Sequence, residues 1–172
     1  MSNGPADGTL AQRLQADRLR FPGMLPAETL IFKNWLAAHE AEYDRFDYNF
    51  RIGSGTDPGD NYPQEIRDMA IANSQKRLDA VGWQGDIPTI IEVKRRAGLS
   101  NIGQLVGYKH FWVRDFPDQP TPNLLLVTNA LQSDLLHVAE QEHIQINLID
   151  ADFSQLRRPG APLSGHKHAR QA

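Results

Sequence analysis

Glu92 and Lys94 stand two residues apart in Ile90-Ile91-Glu92-Val93-Lys94, inside a run that reads as a β-strand, Pro88 to Arg95. Period two puts both side chains on one face. An earlier strand, Lys76 to Trp83, carries Asp79 and is joined to it by a turn at Gln84-Gly85-Asp86. Such a hairpin brings Asp79 beside Glu92, so two carboxylates converge near one ammonium. Two carboxylates placed together raise each other's pKa. A bound Mg²⁺, or Mn²⁺ in its place, relieves that cost, because it takes oxygen ligands and keeps several waters. The Val93 carbonyl, between the two side chains, is a further candidate ligand. An ion held there would polarise a phosphate and acidify a bound water, while Lys94 orients that water or stabilises charge in the transition state.

The register argument is specific. Pairing symmetric about Gly85 places Asp79 across from Ile91, one step from Glu92, and a bulge at Pro88 would shift this by one. Glu92 and Lys94 then share a face, and Ile91 and Val93 enter the core from the other.

The remaining elements must carry this hairpin. Pro26 to Tyr43 reads as a helix, with Pro26 in its first turn, Glu28 at its positive end and Ile31, Trp35 and Ala38 on one face. Phe46, Tyr48 and Phe50 alternate as a strand, and the Gly- and Pro-rich stretch Gly53 to Pro63 is a loop. Ile66 to Asn73 is ambiguous, Met69 and Ile71 alternating as in a strand. In the hairpin, Leu78 and Ala80 fall on one face of the first strand, Asp79 and Val81 on the other. Ser100 caps a helix running to about Arg114, with Ile102, Leu105, Val106 and Trp112 as its buried stripe. Leu124 to Val127 is a strand buried on both faces. Ser133 caps a helix over Asp134 to Glu142, and Ile144, Ile146 and Leu148 form a last strand. The expected class is α/β (α+β) with a mixed sheet flanked by helices.

Asp79, then Ile91-Glu92-Val93-Lys94, then Gln104-Leu105-Val106-Gly107-Tyr108 resembles the D…(D/E)xK and QxxxY motifs of the PD-(D/E)XK nuclease superfamily, in its RecB-like branch. Gln104 and Tyr108 are four apart on a helix and so share a face. The resemblance covers roughly Pro26 to Asp150. It implies a restriction-endonuclease-like core of αβββαβ order with an extra αβ, and that the Gln104–Tyr108 face looks onto the active site. It also implies a site glutamate on the first helix, for which Glu28 is the candidate. The implied catalytic set is Asp79, Glu92, Lys94, Gln104 and Tyr108, and the implied metal ligands are Asp79, Glu92, Val93 and Glu28.

Plainer readings stand beside these. Asp79 can be an exposed hairpin residue, Glu92 and Lys94 a solvated strand face, Tyr108 a core residue with a bonded hydroxyl, and Glu28 a partner of the helix dipole. Lys94-Arg95-Arg96 is a short basic cluster, half of which must point away in a strand. His110 reads as an exposed helical residue and takes no role, His137 and His143 lack ligand spacing, and His166 and His168 fall in a tail. There is no GxxxxGK[ST] phosphate loop.

Three segments are expected: a tail with a short helix over 1–24, a nuclease-like domain over 25–156, and a basic tail over 157–172. The 172-residue chain has a net charge of −3, 40% hydrophobic residues and no cysteine, which excludes disulfides and zinc–thiolate sites. Arg157, Arg158, Lys167 and Arg170 meet no acid in 157–172, so the preceding residues carry −7. An acidic body is not a generic nucleic-acid binder, since that binding neutralises phosphates. No run of about 18 apolar residues appears, so no membrane partner is expected, and residues 1–8 lack the features of a secretion signal. The expected function is a Mg²⁺-dependent endo- or exonuclease acting on DNA or RNA in the cytoplasm. The alternative, suited to the acidic body, is a nuclease-fold adaptor with protein partners in a phage virion or other nucleoprotein assembly.

Overall fold

The computed structural model of the protein describes residues 21–154 and 156. The short helix expected over Leu10 to Phe21 lies, but for Phe21, outside them, as do the basic residues and histidines of 157–172. The described elements run α1 (Pro26–His39), a 3₁₀ turn (Glu40–Glu42), β1 (Arg45–Ile52), α2 (Gln64–Ser74), β2 (Lys76–Gln84), β3 (Ile87–Ala97), α3 (Leu99–Asp115), β4 (Asn123–Leu131), α4 (Leu135–Gln141) and β5 (Ile144–Leu148). The five strands form one mixed sheet in the order β1-β2-β3-β4-β5. β1, β2 and β3 pair antiparallel as a meander, and β3, β4 and β5 pair parallel across α3 and α4. The protein is therefore a mixed α+β fold, and no helix among its described residues is long and apolar enough to cross a membrane.

Three layers follow from strand alternation. Ile31, Phe32, Trp35 and Leu36 of α1 pack on Ala80, Ile91, Val93, Leu125 and Val127. On the other face, Ile102, Leu105, Tyr108 and Trp112 of α3 pack on Leu78, Val81, Ile90, Leu124 and Leu126. Leu124 to Val127 thus feeds both cores, as an unbroken apolar strand must. Trp35 Nε1 donates to Asn147 Oδ1 at 2.9 Å, tying α1 to β5.

Several local expectations are corrected. Ile66 to Asn73 is helical within α2, and no residue of that helix is buried. Pro63 opens it, Gln64 Nε2 donates to Asp68 Oδ1 and Ser74 Oγ to the Ala70 carbonyl, so local bonds define a helix that has no apolar face to announce it. This helix is inserted between β1 and β2, in addition to the expected order. Ala38 is exposed, because Phe32 and Leu36 complete the buried stripe of α1. The helix ends at His39, and Glu40 to Glu42 tighten into a 3₁₀ turn. Neither Ser100 nor Ser133 caps its helix: Gly98 and Asp134 hold those positions, and at α3 the Asn101 Oδ1 accepts from the Gly98 N–H.

Alternation also breaks in β1 and β2. Phe46, Tyr48 and Ala80 lie with the α1 core, whereas Phe50, Ile52 and Leu78 lie with the α3 core. Leu78 and Ala80 therefore do not share a face. The register is unbroken on either side, Tyr48 opposite Ala80 and Phe50 opposite Leu78. Asn49 between them has φ 52°, a left-handed conformation that Asn tolerates, so both strands turn over together at Asn49 and Asp79.

Candidate active site

The β2–β3 turn is two residues, Gly85 and Asp86, with Gly85 at φ 57°. Gln84 therefore pairs with Ile87 and Trp83 with Pro88, with no bulge at Pro88. The register is one step from symmetry about Gly85, and Ile91 faces Ala80 rather than Asp79. The ladder stops there. At the next step the Asp79 side chain takes over from the backbone, its Oδ2 accepting from the Val93 N–H at 2.9 Å. The two strands part at Asp79, so the end of β3 that carries Glu92 and Lys94 has no backbone partner on the β2 side.

Lys94 fills the split. Its Nζ donates to Glu28 Oε1 at 2.9 Å, and lies 3.4 Å from Glu92 Oε1 and 3.7 Å from Asp79 Oδ2. Glu28 reaches it from the first turn of α1 while its Oε2 accepts from the Leu25 N–H at 2.8 Å. Glu28 is therefore both a partner of its own helix terminus and a member of the cluster. The exposed-residue readings of Asp79, Glu92 and Lys94 do not describe this geometry, since the Glu92 side chain is only 4% exposed.

The electrostatics follow from burial. Desolvation and then the Asp79 charge push the Glu92 carboxyl up to about 7. Desolvation raises Asp79 as well, against the opposing pull of Lys94 and of the Val93 N–H. For Lys94, burial works downward, but the charges of Glu92 and Asp79 and the bond to Glu28 outweigh it and hold the ammonium protonated. Three carboxylates share this single ammonium, so the ionised cluster is short of positive charge.

Tyr108 and Gln104 approach from α3. Tyr108 is buried in the α3 core, and its hydroxyl hydrogen-bonds with Gln104. Burial, then the charges of Glu92 and Asp79, push that hydroxyl up to about 12. Tyr108 is thus a bonded core residue that also feels the cluster. Gln104 is exposed, and its Oε1 accepts from Asn101 Nδ2 at 3.1 Å. Asn101 escaped the sequence reading. It is buried, bonds Gly98 with its oxygen and Gln104 with its nitrogen, and so orients the Gln104 amide. A polar residue at i−3 from Gln104 on the same helix face is the signal that marks it. Of the basic run, only Lys94 turns into the cluster; Arg95 lies over the Phe153 ring at 4.5 Å.

Buried carboxylate oxygens with a deficit of positive charge are the donor type that a hard cation takes. Among the described residues, no trio of His, Asp and Glu side chains is closed around one point.

No family model matches the chain, and no curated protein matches it. Among solved structures, the chain is similar to a repair endonuclease from Pyrococcus abyssi, with a TM-score of 0.48 and 14% identity. That match covers 76% of this chain and 50% of the other, so the chain spans half of that protein's length.

Proposed function

We propose that this protein is a metal-dependent nuclease of the PD-(D/E)XK kind, hydrolysing phosphodiester bonds in DNA or RNA. The observation that carries the proposal is the convergence of Glu28, Asp79 and Glu92 on Lys94 where β2 and β3 part. A structural ion pair would match charges one to one. This cluster instead buries an excess of carboxylate, which is costly unless a cation or a proton balances it. Asp79 and Glu92 are the proposed ligands of Mg²⁺ or Mn²⁺, with Glu28 and the Val93 carbonyl as further oxygen donors. When bound, the ion supplies charge that polarises a phosphate oxygen and acidifies a water.

The remaining roles belong to the chain. The Val93 N–H fixes the Asp79 carboxylate, so that ligand is held without substrate. Lys94, kept protonated by its neighbours, donates to the attacking water or to the phosphate oxygen that gains charge. Tyr108, with its hydroxyl raised to about 12, stays protonated near pH 7 and acts as a donor, not a base. Gln104, set by Asn101, faces the substrate side.

The test is cleavage of end-labelled single-stranded, duplex and branched DNA and RNA with Mg²⁺ or Mn²⁺, against EDTA. Cleavage that EDTA stops and Asp79→Asn abolishes supports the proposal. An inert wild type on every substrate sinks it. A second reading is a nuclease-fold subunit of a phage virion or other nucleoprotein assembly, with or without activity. It is favoured by α2, which buries nothing yet exposes Ile66 and Met69 beside Tyr62. A strictly monomeric protein in cross-linking and size-exclusion experiments would count against it.

A further inference from the structure

β2 leaves β3 at Asp79, but its pairing with β1 continues past that point, and the two-stranded arm so formed carries Arg51 directly opposite Arg77. Like charges directly opposed across an antiparallel pair repel. No carboxylate among the described residues relieves them: both arginines are exposed, and neither has an ion-pair partner there. The chain does not lack acids, which outnumber its Lys and Arg by 21 to 18. Elsewhere it uses them, Arg67 pairing with Asp57 and Asp60 and Arg114 with Asp115. Two guanidinium groups side by side, each able to fork onto phosphate oxygens, form a cradle for one anion.

The arm sets where that anion sits. Phe50, Ile52 and Leu78 belong to the α3 core, so alternation turns Arg51 and Arg77 to the opposite face, on which α1 packs and from which Glu28 reaches the cluster. The chain leading into α1 crosses the arm just short of the pair: a Cβ on Gly23 would stand 3.1 Å from Asn49 Oδ1, and Asn49 is two residues from Arg51. Arg77 is likewise two residues from Asp79, roughly 7 Å along the strand. That interval is comparable to the step between neighbouring phosphates of one nucleic-acid strand. A phosphate on the arginines and another at the cluster can therefore belong to adjoining nucleotides. The chain is acidic, and Glu28, Asp79 and Glu92 repel a polyanion, so a strand brought to them needs local cations.

We propose that Arg51 and Arg77 together hold the phosphate next to the one being cut, and so fix the strand across the site. This rests on the nuclease reading for the second phosphate, but it is tested by binding. Fluorescence anisotropy on the full chain follows a labelled oligonucleotide of about twenty nucleotides, single-stranded and as a duplex, across a salt series in EDTA and in Ca²⁺, which takes oxygen ligands as Mg²⁺ does. Arg51→Gln and Arg77→Gln should each weaken binding about fivefold or more at low salt and lower the slope of log affinity against log salt by about 1. The double variant should lose less than the sum of the two, because the pair shares one phosphate. Arg45→Gln, at the far end of β1, should match wild type. Without nucleic acid, both single variants should melt no lower than wild type, since one of two opposed charges is gone. Variants that bind like wild type with an unchanged slope would overturn the proposal, as would an equal loss in Arg45→Gln. Melting lowered in both would mark the pair as structural instead. A wild type that binds neither oligonucleotide would also overturn it, and leave the pair to an acidic protein partner. Arginine-dependent binding by a wild type that never cleaves leaves the phosphate site standing and removes the nuclease reading. Cleavage by variants that bind like wild type does the reverse.

Discussion

Replacing Glu92 with Gln should stabilise the metal-free protein at pH 8. The carboxyl titrates near 4.5 when unperturbed and near 7 in the fold, where desolvation and Asp79 raise it. The folded protein therefore holds this proton more tightly than the unfolded chain. Stability from this group is fullest at low pH, falls as pH rises from about 4.5 to about 7, and is flat above. At pH 8 the difference amounts to about 3 kcal/mol, most of it lost between pH 5 and 8. For a chain of this size it corresponds to a thermal midpoint shift on the order of 5–10 °C. Asp57, Asp115 and Asp152 have lowered values, so their contributions fade only on acidification through those values and do not mask the trend. Glu92→Gln keeps the shape, cannot ionise and leaves Glu28 and Asp79 to Lys94. Urea unfolding followed by tryptophan fluorescence in EDTA at pH 5, 6, 7 and 8 measures both proteins. The wild type should lose about 2–3 kcal/mol across the series beyond any loss in the variant. Parallel curves, or a variant less stable than wild type at pH 8, would refute the account of this cluster.

Asp79 behaves differently, because its carboxylate also serves the Val93 N–H. Asp79→Ala should cost about 1–3 kcal/mol in chemical denaturation by stranding that donor, whereas Asp79→Asn retains an acceptor and should cost less. Lys94→Ala leaves three carboxylates without their ammonium and should cost about 3–5 kcal/mol at pH 8. Thermal melts should show a smaller loss at pH 5, where Glu92 is protonated. Gly82→Ala places a Cβ 2.6 Å from the Tyr43 ring, and overpacking of this kind should lower stability by about 1–3 kcal/mol in the same assay.

The parts of the fold legible in the sequence are those that bury a periodic apolar face. The hairpin, the two-sided strand at Leu124 to Val127, α1 and α3 all announce themselves this way. α2 does not, because a helix that buries nothing has no stripe to read and is held by local side-chain bonds. The turnover at Asn49 and Asp79 was equally hidden: it needs one positive φ and leaves the pairing register intact, so the sequence still looks alternating. At the site, the i, i+2 relation of Glu92 and Lys94 follows from strand geometry. The placement of Asp79 depends on whether the turn holds three residues or two, and composition alone does not decide that. The link from Asn101 to Gln104 was missed because a buried Asn near a helix start resembles an ordinary capping residue.

The central claim is that the buried excess of carboxylate exists to hold a divalent cation. Electron paramagnetic resonance of free Mn²⁺ titrated with protein at pH 8 tests it directly. The account predicts one Mn²⁺ bound per chain, with binding severely weakened in both Asp79→Asn and Glu92→Gln while the fold is retained. No binding at millimolar Mn²⁺, or binding that survives both substitutions, would contradict it.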